Sequence, residues 1–339
     1  MKRGCLLVIL AVFILSSVPA YADQGGEEIL KAIVKIHSTI PKDAHTAGTL
    51  GTEREGYGVL IDARGYIVTI SYLILEAETI EVFGPEDKPI NATFAGYDPD
   101  TGFGLLRADQ PLGVEPMKLG ESSKLEEGDR VLVAGYGGEE SAMGARVIAR
   151  KELTASWEYF LEKAIFTAPP YPNYGGAALI GRDGRLLGIG SLLTQVSVEG
   201  VGAIPCNMFV PIDLLTPILS NLVATGRSSR PPRPWLGISL EEDRGRVLVS
   251  RVTKGGPAEG AGLQPGDLIL RVSGKGVNGL ADFYHKVWGL GPAGIEVPLS
   301  ILRGVQIQDI TVRSADRYPY FLPKPKKAIK DGGFYLSCR

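Results

Sequence analysis

At 339 residues and 36.2 kDa, the chain is long enough for two domains of ordinary size. Hydrophobic residues at 44% and charged residues at 22% exclude a disordered chain and a multi-span membrane protein. A net charge of −2, with both signs interspersed, leaves no basic field for nucleic acid. With 44 glycines and 23 prolines turns are frequent, so a mainly β fold is expected. Only His37, His45 and His285 could supply imidazole, and no Cys/His cluster exists, so no metal and no cofactor is expected.

Lys2 and Arg3 precede an apolar run from Cys5 to Leu15. Ala20-Tyr21-Ala22 then has the small-x-small form that signal peptidase accepts. Residues 1–22 therefore read as a signal peptide cleaved after Ala22, placing the mature chain in the periplasm or outside the cell. The run falls well short of the ~20 residues of a spanning helix, so no membrane span is expected after cleavage. Cys206 and Cys338 would remain, and the sequence leaves their pairing open.

From residue 28 to 224 the pattern is one of short strands. Ile33–Ile36 opens the series. Gly58–Ile61 and Tyr66–Thr69 flank the turn Asp62-Ala63-Arg64-Gly65. Ile80–Val82, Ala92–Ala95, Phe103–Leu106, Arg130–Val133, Ala145–Ile148 and Leu186–Ile189 follow. This spacing points to a barrel or sandwich. Trp157, Tyr159 and Phe160 read as barrel core. One helix is expected over Pro211–Ala224, with proline at its start and Gly226 after its end. Residues 225–234, with three prolines, form a linker. A second unit spans 235–316. The tail, 317–339, is basic and proline-containing and is expected to pack loosely.

The second unit contains Gly255-Gly256-Pro257-Ala258-Glu259-Gly260-Ala261-Gly262-Leu263-Gln264-Pro265-Gly266-Asp267, followed by alternating Leu268, Leu270 and Val272. Pro257 suits the first turn of a short helix and Gly262 its left-handed end. This segment resembles an α+β PDZ domain of the HtrA/DegP type. The resemblance implies that backbone N–H groups of Trp235-Leu236-Gly237-Ile238 capture a peptide's terminal carboxylate. Leu236 and Ile238 would floor the side-chain pocket, and a helix over Leu280–Trp288 would wall it through Phe283 and Val287. Arg233 would add charge near the carboxylate, and His285 would lie on the rim.

The first unit resembles the trypsin-like double β-barrel of the same proteases. Gly56-Tyr57-Gly58-Val59-Leu60-Ile61-Asp62-Ala63-Arg64-Gly65-Tyr66-Ile67-Val68-Thr69-Ile70-Ser71-Tyr72 follows the family pattern, with Tyr72 at the histidine position. Asp98-Pro99-Asp100-Thr101-Gly102-Phe103-Gly104-Leu105-Leu106 places Gly102 at the aspartate position. In Asn173-Tyr174-Gly175-Gly176-Ala177-Ala178-Leu179 the serine position falls on Gly175, or on Tyr174 in a second register. Gly175 is preferred because it keeps the spacing to the turn at Gly184. Oxyanion-hole donors would be the N–H groups of Asn173 and Gly175.

Three readings follow. The first is a degenerate, pseudoprotease-like HtrA relative that binds peptide C-termini or extended segments in an adaptor, regulatory or chaperone-like role. The resemblance implies a homo-trimer, or a hetero-oligomer with an active relative. The second is an active serine endopeptidase with a non-standard site, using Ser71, Ser191 or Ser197. The third is a structural oligomer subunit whose PDZ groove is closed. Gly135–Glu140 reads as a turn rather than a phosphate loop, and Asp98 with Asp100 as a solvated loop rather than a cation site.

Overall fold

Short strands joined by glycine-containing turns close into two six-stranded barrels in the computed structural model, which describes residues 24–324 apart from 199 and 201. The first barrel comprises β1 (Ile33–Thr39), β2 (Glu53–Leu60), β3 (Tyr66–Ile70), β4 (Thr79–Phe83), β5 (Pro89–Tyr97) and β6 (Phe103–Ala108). It closes because β1 pairs antiparallel with both β2 and β4, so that Ile36 faces Gly56 on one side and Val82 on the other. Closure leaves no open sheet edge in this barrel.

The second barrel comprises β7 (Arg130–Ala134), β8 (Ala142–Ala155), β9 (Tyr159–Ala168), β10 (Ala178–Ile180), β11 (Leu186–Val198) and β12 (Gly202–Pro211). Buried side chains from both barrels, among them Ile36, Val68, Leu105, Phe166 and Ile189, form one contiguous core. Fully burying such residues contributes roughly 1.5–3 kcal/mol each.

The C-terminal unit is a sheet in the order β13 (Ile238–Asp243), β14 (Arg246–Val252), β15 (Leu268–Val272), β17 (Glu296–Arg303) and β18 (Gln306–Arg313). The short β16 (Lys275–Gly276) pairs with β15. A helix over Leu280–Trp288 packs against this sheet and buries Leu280, Phe283, Tyr284 and Val287. This groove helix has the bounds the sequence predicts.

Two expectations are corrected. The helix expected over Pro211–Ala224 begins only at Leu219: Pro211 ends strand β12, and a 3-10 turn over Ile212–Leu214 follows. Pro217, with no N–H to give, separates the two pieces. Gly226 then caps the helix in the left-handed conformation. The first part of the tail is tightly packed, not loose. Tyr318 and Phe321 are buried, Tyr318 stacks on Tyr97 with centroids 4.9 Å apart, and the Phe321 carbonyl accepts from Glu76 N–H. The described end of the tail thus joins the two units.

Cys206 is buried in β12, whereas Cys338 and the expected signal peptide lie outside the described residues. No helix among the described residues is long and apolar enough to cross a membrane.

Candidate functional sites: an inter-barrel cleft and a PDZ groove

The cleft is built by three turns. β3 ends at Ile70, and the 3-10 turn Ser71–Leu73 carries Tyr72. Ser71 N–H donates to the Gly102 carbonyl at 2.8 Å, which brings the loop before β6 against this turn. Buried Arg54 fixes the turn from behind by donating to the carbonyls of Tyr72 and Leu75 at 2.7 and 3.2 Å. The third turn is 173–177. A Cβ added at Gly175 would lie 3.0 Å from Tyr72 Oη, so position 175 faces the phenol directly.

Positions 72 and 175 therefore face each other, and Gly102 lies against Ser71, the residue before Tyr72. Tyr72 Oη donates to the Ser191 carbonyl at 3.0 Å. Burial, with a smaller contribution from the neighbouring Tyr174 phenol, pushes the Tyr72 pKa well above its usual value. Gly102 has φ +82°, and a Cβ there would meet Tyr159 Oη at 3.1 Å. Tyr159 comes from the start of β9, is buried, and donates to the Thr101 carbonyl at 2.6 Å. The cleft is thus filled by two phenols, each satisfied by a main-chain carbonyl.

The turn after Gly175 is sterically fixed. Gly176 has φ +77°, and a Cβ there would fall 1.8 Å from the Tyr57 carbonyl oxygen. The Gly175 carbonyl accepts from Tyr57 N–H at 2.9 Å, tying the loop to β2. Asn173 is exposed on the same loop.

None of the three histidines faces this cleft. His37 Nε2 lies 2.9 Å from Glu53 on the surface of the first barrel. The His45 ring meets the edge of Phe321. His285 is exposed on the groove helix, with its ring 4.8 Å from that of Phe160.

The second site lies between β13 and the groove helix. The backbone N–H groups of Leu236, Gly237 and Ile238 all point at one carboxylate, that of Glu158, at 2.8, 2.8 and 3.0 Å. Glu158 sits at the tip of the β8–β9 hairpin and is 7% exposed. Two residues upstream, the Ser156 carbonyl accepts from Leu240 N–H at 2.8 Å. The segment 156–158 therefore runs antiparallel to the start of β13. Tyr284 Oη donates to the Ala155 carbonyl and accepts from Glu158 N–H, at 2.7 and 3.0 Å. Phe160 completes the contact, buried in the core of the PDZ unit with its ring edge-on to Trp288.

Gly237 has φ +77°, the left-handed backbone that turns three successive N–H groups toward one point. Burial pushes the Glu158 pKa up to about 6, against the three backbone donors and Arg317, which favour the ionised form. Desolvation therefore exceeds what the hydrogen bonds return. Glu158 also holds φ +55°, a conformation that costs a non-glycine residue about 1 kcal/mol or more.

Leu236, Ile238, Phe283 and Val287 are buried in the core of the PDZ unit, and Gly237 N–H donates to Glu158. Trp235 is placed elsewhere: it is buried against Tyr320 and Phe321 of the tail. Arg233 lies over the Trp288 ring, 4.4 Å from its centroid, with Nε 3.5 Å from Asp100, rather than at the carboxylate. Phe160 belongs to the PDZ core and not to the barrel. Glu158 and Tyr284, which meet at this groove, were not singled out by the sequence, and Tyr159 lies in the barrel core as expected.

Two β-barrels with a cleft between them, followed by a sheet and helix with a carboxylate-gripping loop, define a trypsin-fold domain joined to a PDZ domain. The family models agree: a trypsin-like peptidase domain matches residues 56–189, and a PDZ domain matches residues 234–313. The chain is homologous to the DegP/HtrA serine proteases. It is 28% identical over 270 residues to a probable periplasmic serine endoprotease DegP-like of Pseudomonas putida, covering 76% of this chain and 55% of that protein. It is 27% identical over 288 residues to a serine protease Do-like HtrA of Lactobacillus helveticus, covering 78% and 70%. The chain spans little more than half the length of the Pseudomonas relatives. Among solved structures, a variant of the HtrA-type protease AlgW with a decapeptide superposes with a TM-score of 0.52 at 20% identity, covering 90% of this chain and 98% of that one. This likeness is one of fold.

Proposed function

We propose that the chain is a periplasmic, HtrA-like pseudoprotease: a peptide-binding adaptor or chaperone-like protein that holds C-termini or extended segments without cutting them. The observation that supports this most is the chemistry of the cleft. Acyl transfer on this fold needs a nucleophile, a base touching it and a group that orients the base. The positions that the sequence aligns with these are Tyr72, Gly102 and Gly175. A phenol whose pKa is raised above its usual value of about 10 cannot take a proton at neutral pH. Its own proton is already committed to the Ser191 carbonyl. The two glycines supply neither nucleophile nor carboxylate.

Ser191 lies beside Tyr72, but it has no imidazole among the described residues to activate it. The oxyanion-hole positions at Asn173 and Gly175 could at most bind a carbonyl or carboxylate. The peptide-binding half of the reading rests on the loop Leu236–Ile238, whose three N–H groups converge on a carboxylate.

Incubating the purified full chain with casein tests the catalytic half. No fragments are expected over a time in which an active relative degrades the substrate, and turnover would overturn the reading. Capture of free-carboxylate peptides, with amidated ones left behind, is the expected result for the binding half.

One observation favours a second reading. The groove already holds Glu158, as expected of a structural subunit with a closed PDZ domain. That reading predicts a stable oligomer with no peptide capture at any concentration.

A further inference from the structure

The tip of the β8–β9 hairpin occupies the PDZ groove as a C-terminal peptide would, through a carboxylate and one strand-like hydrogen bond. A carboxylate occupies the three converging N–H groups of Leu236, Gly237 and Ile238. Two residues upstream a main-chain carbonyl accepts from Leu240 N–H, as an added antiparallel strand would. Tyr284 of the groove helix closes over the segment through Ala155 and Glu158. The chemistry differs in two ways: the carboxylate belongs to a side chain, so the chain continues past it into β9, and the Glu158 N–H donates to Tyr284 Oη instead of to a β13 carbonyl.

We propose that the tip of the β8–β9 hairpin is a built-in competitive ligand of the PDZ groove, whose Glu158 side chain must leave before the α-carboxylate of an external peptide can enter. This rests on the proposed peptide-binding reading and adds its regulation. The external ligand is accordingly an extended segment ending in a free carboxylate, because only that end can satisfy the three N–H groups that Glu158 vacates.

Three features make the contact exchangeable rather than permanent. The Glu158 backbone is in the left-handed region at φ +55°. Its carboxylate is held at a net desolvation cost, since the pKa lies above the ordinary value. The exchange asks only the Glu158 side chain to leave: Tyr284 on the Ala155 carbonyl and Phe160 in the PDZ core hold the hairpin on either side. When a site is vacant for only a fraction of the time, apparent affinity falls by that fraction.

Glu158→Gly is the direct test. Glycine accepts the left-handed turn and removes only the competing carboxylate. The probes are a pool of random decapeptides with free α-carboxylates and the same pool amidated, titrated into the full chain by fluorescence anisotropy. Hydrogen exchange at the amides of 236–240 follows the groove in parallel. The variant is expected to bind the free-carboxylate pool at least tenfold more tightly than the wild type, to leave the amidated pool unbound, and to exchange amides 236–238 faster. Glu158→Gln, which keeps an acceptor oxygen, should fall between the two.

Equal affinities in wild type and E158G would overturn the competitor while leaving the peptide-binding reading intact. No binding by either protein, with amides 236–238 exposed in the variant, would overturn both and leave the hairpin as a permanent clamp. If E158G melts well below the wild type, E158Q carries the same comparison.

Discussion

Both recessed sites of this molecule are filled from within, yet with different chemistry. In the inter-barrel cleft, Tyr72 and Tyr159 place neutral phenols, and each donates to a carbonyl of the frame. The plugging groups themselves are uncharged, and each of their hydrogen bonds is of the ordinary kind worth about 1 kcal/mol. In the PDZ groove, Glu158 places an anion against three N–H groups. Each such bond contributes about 1.5–3 kcal/mol, but burying the carboxylate costs several kcal/mol. The first plug is part of the core, while the second sets three backbone hydrogen bonds against the burial of a carboxylate. A single hairpin contributes to both: Tyr159 turns into the barrels, and Glu158 and Phe160 turn into the PDZ unit.

The contrast can be broken at either end. The largest effect is expected for Gly176→Ala. Its new Cβ would need a backbone oxygen at 1.8 Å to move, and φ +77° is strained for alanine. A loss of about 3 kcal/mol or more in denaturant unfolding is expected; a wild-type midpoint would show that the loop has another conformation. Phe160→Ala should cost nearly as much, about 3 kcal/mol, by emptying a buried site in the PDZ core. A differential scan should assign the loss to the PDZ unit, not to the barrels.

Gly175→Ser sharpens the cleft side. The added Cβ would lie 3.0 Å from Tyr72 Oη, so a cost of about 1–2 kcal/mol is expected. In a Tyr72→Ala background that cost should shrink, giving a coupling above the ~0.5 kcal/mol scatter of independent sites. Additive losses would mean that the two positions do not face one another.

The smallest predicted effect is one of pH. Glu158 in the docked state has its pKa raised from 4.5 to about 6 by burial. The docked state therefore binds the proton more tightly than the undocked one. Its advantage is full below about pH 4.5 and is lost as pH rises through about 6. Arg317 and Tyr284 are the other titratable groups that influence this carboxylate. Hydrogen exchange at Leu236–Ile238 should accelerate, beyond the intrinsic base-catalysed trend, by up to about tenfold between pH 5 and 7. E158Q should show no such extra step.

Much of the architecture was legible in the sequence because local patterns encode it. The strand runs around Val59, Val68 and Leu105 read correctly because barrel closure uses the two-residue alternation directly. The groove helix read correctly because Phe283, Tyr284 and Val287 share one helical face. The helix start expected at Pro211 did not, since proline there resembles a helix start but ends strand β12, which also carries buried Asn207. In the fold, Asn207 Oδ1 accepts from Tyr171 N–H, a partner 36 residues away. The filling of the groove was invisible for the same reason. Glu158 meets its three donors across 78 to 80 residues of chain. No period in Trp157-Glu158-Tyr159-Phe160 tells which side chain turns toward which domain. Likewise Tyr318 and Phe321 read as tail because their partners, Tyr97 and Trp235, are distant in sequence.

The claim on which the rest depends is that this frame retains no activated nucleophile. Exposing the purified full chain to a biotinylated fluorophosphonate near neutral pH, followed by mass spectrometry of every serine-containing peptide, asks this directly. The expected result is no adduct on any serine, native or heat-denatured protein alike. A stoichiometric adduct on Ser71, Ser191 or Ser197 that appears only in the folded protein would contradict it.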